Sequence, residues 1–181
     1  MDEIPGPPPD LKLLFVGVAP TAAGGQSRGG HFYSDSADRL RRGLFDLLSE
    51  PDFGLALRDL SLRDGNQRFH EAGYFFLHAA KVRPVTTDAP PTEAIIHCAR
   101  RHLAREIEFL RPRSICFLGT NNLRSVARDL FGKEIGPECR PVTLTTGTWN
   151  GLAAVTHQPR RGWQDVTRRT LRAMLSVRPV A

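Results

Sequence analysis

Residues 11–35 read LKLLFVGVAPTAAGGQSRGGHFYSD. The run Leu11–Val18 is continuously apolar, as a central parallel strand covered on both faces requires. It breaks at Ala19-Pro20. A loop with Gly24, Gly25, Gly29 and Gly30 follows, then the aromatic Phe32 and the carboxylate Asp35. A helix capped by Asp35 or Ser36 is expected next, running to about Ser49 with Leu40, Leu44, Phe45 and Leu48 on one face. Strand, small-residue loop, helix is how an α/β protein builds a ligand site at the carboxyl edge of its sheet.

Outward from that unit the pattern repeats. Gly73–Lys81 and Ser114–Gly119 read as the second and third strands, and Gly151–Thr156 as the fourth. A long helix is expected from Thr92 to before Pro112, a second after Gly119-Thr120-Asn121, and a last one over Trp163–Ser176. Pro51–Phe69 reads as a long connection turning at Asp64-Gly65-Asn66, with a short helix near Gly54–Leu60. Pro141–Thr148 reads as extended and irregular. Met1–Asp10, rich in proline, is expected to be a flexible lead-in to a single domain over 11–181. Four alternations of strand and helix predict a three-layer α/β/α fold around a mostly parallel four-stranded sheet. Four loops then converge at one edge: 19–35, 78–91, 119–122 and 157–162.

Composition bounds the function. The 181 residues are 40% hydrophobic and 24% charged, enough for one domain with a real core. A formal charge of +6 favours a polyanionic partner without deciding the fold. Cys98, Cys116 and Cys139 lie far apart with no CxxC pair, which argues against a disulfide framework or zinc site and fits a reducing cytosol. No apolar run is long enough for a membrane span, and the first residues do not read as a signal peptide. The glycine loop lacks the GK[ST] of a P-loop. Between Gln158 and Ala181 stand six arginines and one acid, Asp165, an asymmetry that suits a DNA-facing surface.

Four segments in order resemble the uracil-DNA glycosylase superfamily, especially its prokaryotic iron–sulfur branches. They are Gly17-Val18-Ala19-Pro20 with Gly29–Asp35, Tyr74–Pro84 (YFFLHAAKVRP), Glu93 through Cys98 to Gly119, and Thr156-His157-Gln158-Pro159. The resemblance implies an enzyme that flips uracil out of DNA and hydrolyses its N-glycosidic bond, leaving an abasic site. It implies Phe32 as the base platform, with Val18, Ala19 and His78 at the uracil edge. Asp35, His157 and His78 are the implied catalytic residues. Asp35 would assist the water or the sugar cation, and His157 would stabilise departing uracil. DNA contacts are expected at Gly24, Gly25, Gln26, Ser27, Arg83, Asn121, Arg160 and Arg161. The partner is DNA carrying uracil or abasic sites, met by a monomer in the cytoplasm.

Three positions depart from the family pattern. Val18 stands where one branch has an acid, which shifts the burden to Asp35. His78 stands where an asparagine is usual; a neutral imidazole still offers one donor and one acceptor. Val82 stands where a cluster cysteine is expected, Cys98 matches another, and no cysteine precedes it, so no iron–sulfur cluster and no metal is expected. Two rival functions stay open: a uracil- or abasic-DNA binding protein without catalysis, and an enzyme acting on a free nucleotide.

Overall fold

The computed structural model describes residues 6–20, 32–36, 38–81, 90–119, 121–136, 140–159 and 164–176. One five-stranded sheet has the order β2-β1-β3-β5-β4. The strands are β1 (Leu13–Gly17), β2 (Tyr74–His78), β3 (Ser114–Leu118), β4 (Val142–Thr146) and β5 (Trp149–Thr156). β1 pairs in parallel with β2 and β3, and β3 with β5. All four strands expected from sequence are present, and the α/β class stands.

The fifth strand corrects the irregular reading of 141–148. β4 is an antiparallel edge strand paired with β5. Its register places Thr146 opposite Trp149, so the hairpin loop is Gly147-Thr148. Gly147 has φ +51°, the positive value that a two-residue hairpin asks of its first loop residue. On β4, Leu144 is buried while Thr143 and Thr145 are exposed. That period-2 signal is only five residues long.

The helices are α1 (Arg39–Leu48), α2 (Leu62–Glu71), α3 (Thr92–Cys98), α4 (Ala104–Leu110), α5 (Asn121–Phe131) and α6 (Gln164–Ser176). A π-helical segment, Ala99–Leu103, joins α3 to α4, so the long helix expected from Thr92 is one stretch with a wider middle turn. It ends at Arg111, which is left-handed at φ +46°, just before Pro112. α1 begins later than expected. Its cap is Asp38, whose carboxylate accepts the Arg41 N–H at 2.7 Å, rather than Asp35 or Ser36.

α2 is the larger correction. The stretch read as a connection turning at Asp64-Gly65-Asn66 is a ten-residue helix, and Gly54–Leu60 is not helical. Ser61 caps α2, its Oγ accepting the Asp64 N–H at 3.1 Å and donating to the Asp64 carboxylate at 2.7 Å. The Ser-x-x-Asp signature was present in the sequence. Its apolar content was too sparse to announce a helix, because Gly65 and Asn66 fill positions on the buried face.

Side-chain contacts assign the layers. Phe15 of β1 stacks on Phe69 of α2 and meets Tyr74 of β2 edge-on. A Cβ on Gly17 would meet Leu40 of α1 at 3.4 Å. Thr156 of β5 contacts Thr167 of α6 through their hydroxyls. α1, α2 and α6 therefore cover one face. Phe117 of β3 packs edge-on against Phe131 of α5 on the other. The core is continuous across the sheet and includes Leu13, Phe15, Val16, Ile115, Phe117 and Val155, all fully buried. No described helix is long and apolar enough to cross a membrane.

The ion pairs on α6 revise the reading of its arginines. Arg168 donates from Nε and Nη2 to the two carboxylate oxygens of Glu50, at 2.5 and 2.7 Å, and also pairs with Asp165. That fork pulls the Glu50 carboxyl below its ordinary range. Arg172 pairs with Asp52. Two of the arginines counted toward a DNA-facing helix are thus tied to the end of α1 and the turn beyond it. Asp10, in the expected lead-in, pairs with Arg113 at 2.7 Å; residues 1–5 lie outside the described residues.

Candidate functional site

The four parallel strands end on one edge of the sheet. Gly17 is the register partner of His78, and Leu118 of Thr156. Hydrogen bonds continue past the strand ends. The Ala79 and Ala80 N–H groups donate to the carbonyls of Gly17 and Val18 at 2.8 and 2.9 Å. The Gly119 N–H donates to the Thr156 carbonyl at 2.8 Å. A Cβ on Gly119, at φ +152°, would lie 3.3 Å from the Val18 side chain. Val18, His78, Gly119 and the start of the His157 loop are thus lashed to one edge by main-chain bonds.

Phe32 and Tyr33 reach that edge through α2. The Tyr33 carbonyl accepts from the Asn66 amide at 2.9 Å, and the Asn66 side-chain oxygen accepts from Arg41 at 3.1 Å. Arg41 is 5% exposed and lies 4.0 Å over the Phe45 ring. The Tyr33 hydroxyl accepts the Phe76 N–H at 2.7 Å, on the side of β2 away from β1. Burial holds the Tyr33 phenol well above its ordinary pKa, so it stays protonated. These anchors escaped sequence reading because Asn66 was taken as a turn residue and nothing local marks Arg41 as buried.

Phe32 itself is 1% exposed. Its ring lies on the Phe76 ring, with centroids 4.2 Å apart and planes 9° apart, and meets Tyr33 and Phe45 edge-on. Phe76 in turn meets His78 edge-on at 4.9 Å. Phe32, Phe76 and His78 therefore form one aromatic row between the sheet and α1. Beside it lies a cavity of about 250 Å³ whose lining includes Pro20, Tyr33, Phe76, His78, Lys81 and Glu106. Lys81 and Glu106 are ion-paired at 2.6 Å.

Asp35 is half-buried three residues before the α1 cap, and its carbonyl accepts the Asp38 N–H at 3.2 Å. The Asp38 carboxyl is pushed up, mainly by burial and further by the Asp35 charge, against the lowering effect of the Arg41 N–H. The Asp35-x-x-Asp38 spacing is visible in the sequence; the burial that acts on the Asp38 carboxyl is not.

His157 is half-buried, and its carbonyl accepts the Thr167 hydroxyl at 3.0 Å. Its loop rests on α1 at Gly43, where a Cβ would come within 2.0 Å of the Pro159 carbonyl oxygen. Gly43→Ala is therefore expected to force the His157 loop away from α1 and cost about 1–3 kcal/mol. Thermal unfolding checks this, and an unchanged melting temperature would contradict the close approach.

Asn121 is exposed at the start of α5. Gly24, Gly25, Gln26, Ser27, Arg83, Arg160 and Arg161 lie outside the described residues.

A four-thiolate cluster does not suit this donor set. The chain has three cysteines. Cys116 is fully buried on β3, and the Cys98 Sγ accepts the Lys81 N–H at 3.1 Å. Cys139 lies outside the described residues, and position 82 is valine. Among the described residues no His, Cys, Asp and Glu groups gather as metal ligands.

No curated protein matches the chain. The family model described as "Uracil DNA glycosylase superfamily" matches residues 5–171, which takes in every strand, α1 through α5 and more than half of α6. With the strand ends and loops arranged as above, the chain belongs to the uracil DNA glycosylase superfamily, whose members point to a glycosylase-type hydrolase acting on DNA.

Proposed function

We propose that this protein excises uracil from DNA by hydrolysing the N-glycosidic bond and leaves an abasic site. The observation that carries the reading is the pairing of Gly17 with His78, which brings the first-motif strand end beside the residue at the uracil-edge position. In this reading Phe32 stacks on the flipped base. Main-chain groups near Val18 and Ala19 and the imidazole of His78 read its edge. Asp35 assists the water or the developing sugar cation, and His157 donates toward the departing uracil oxygen. Such preorganised dipoles act where charge develops and do not need to reorganise during the step. Arg160, Arg161, Arg83, Asn121 and the loop residues Gly24, Gly25, Gln26 and Ser27 hold the opened strand. The protein works as a monomer on chromosomal DNA in a bacterial cytoplasm.

Val18 and His78, standing where the family pattern has an acid and an asparagine, favour a second reading. A protein of this fold could bind uracil or abasic DNA without cutting it. Oligonucleotides carrying uracil, hypoxanthine, xanthine or a mismatched thymine separate the two when incubated with protein and then treated with alkali. Cleavage at uracil is expected. A gel shift of the uracil strand with no cleavage would leave the binding protein standing and sink the enzyme.

A further inference from the structure

Phe76 occupies the space in which a base would stack. Its ring lies parallel on Phe32 at 4.2 Å, the separation and tilt of a stacked heterocycle. The ring tip presses on the end of β1, where a Cβ on Gly17 would come within 2.7 Å of the Phe76 Cζ. The His78 ring closes the remaining side edge-on. Phe76 is 2% exposed, so the slot bounded by Phe32, Gly17 and His78 is filled by the chain itself.

We propose that Phe76 is the specificity-determining residue of the site: its ring holds the stacking position on Phe32, and a base enters only by displacing it. This rests on the reading of Phe32 as base platform. The movement required is a side-chain rotation. The Phe76 backbone is fixed on both sides, by its register with Phe15 and by donation of its N–H to the Tyr33 hydroxyl. The adjoining cavity of about 250 Å³, which Phe76 already borders, offers the ring a place to go. A displacing base must replace the lost ring contact with its own stacking and with hydrogen bonds to its edge. A base whose edge is matched gains both, whereas a mismatched base has only stacking to offer. The filled slot therefore raises the threshold for every base, and raises it further for a two-ring base, which needs more of the space Phe76 occupies than a one-ring base does.

The test uses Phe76→Leu and Phe76→Met, which keep the core apolar, beside Phe76→Trp. Excision of uracil and of hypoxanthine is measured on oligonucleotides, and binding of free uracil and free hypoxanthine is followed by NMR titration. The leucine and methionine variants are expected to bind free bases about tenfold more tightly than the parent. Their KM is expected to fall, with hypoxanthine gaining more than uracil, and the tryptophan variant should lose on both substrates. Folded leucine or methionine variants with unchanged base affinity and an unchanged uracil-to-hypoxanthine ratio would overturn the proposal while leaving uracil excision intact. A parent that cuts no lesion would instead overturn the proposed function, and the free-base titration would still decide the role of Phe76.

Discussion

His157→Ala is expected to lower the rate of uracil excision about 100- to 1,000-fold, the usual loss when one preorganised donor to a developing oxyanion is removed. The main-chain path of the loop should persist. The backbone of this residue is held by the Thr167 hydroxyl, which donates to its carbonyl, and by the packing of Pro159 on Gly43 of α1. Neither contact needs the imidazole. Thermal unfolding of the variant beside the parent checks that the fold is kept. Single-turnover cleavage separates the chemical step from DNA binding, and the loss should appear in the rate at saturating protein. A variant that excises uracil at the parent rate would remove His157 from the mechanism.

Asn66→Ala is expected to damage the scaffold that carries Phe32 and Tyr33. It leaves the Tyr33 carbonyl and the buried Arg41 guanidinium each without a partner that the native chain supplies. Arg41 keeps the Leu62 carbonyl at 3.4 Å and the Phe45 ring, so the loss is that of buried hydrogen-bond partners, typically about 1–3 kcal/mol, which for a domain of this size lowers the melting temperature by about 2–12 °C. The companion Asn66→Asp separates the two halves of the network. A carboxylate keeps an acceptor for Arg41 and loses the donor to Tyr33. It should recover most of the stability while the turn carrying Phe32 and Tyr33 stays unanchored, so excision falls more than stability does. If Asn66→Asp matched the parent in both, the turn would not depend on α2.

How much of this was legible follows from where each signal resides. The four parallel strands are runs of apolar residues bounded by glycine and proline, and their burial is demanded by hydrophobicity alone. Leu13–Gly17 and Ser114–Leu118 are buried at every position. The loops between them fall at one edge because parallel strands joined by helices must all point the same way. That is why Val18, His78 and His157 were brought to the same edge from sequence. β4 and α2 were missed for a shared reason. Each is short and polar, and becomes regular only because a neighbour supplies partners: β5 for β4, and the Tyr33–Arg41 network for α2.

For the opening stretch the division is sharper. The sequence alone determined that a buried strand runs into a small-residue loop and then an aromatic and an acid, since those residue types admit little else there. It did not determine what the aromatic would touch. Phe76 is as apolar as any other strand residue in one dimension. Only the pairing of β1 with β2, and the absence of a side chain at Gly17, places its ring on Phe32. Likewise the spacing of Asp35 and Asp38 is written in the chain. That Asp38 caps α1 and has its carboxyl pushed up by burial depends on where α1 packs against the sheet. Hydrophobic pattern is local and survives in one dimension; stacking, burial and buried hydrogen bonds are set by residues distant in sequence.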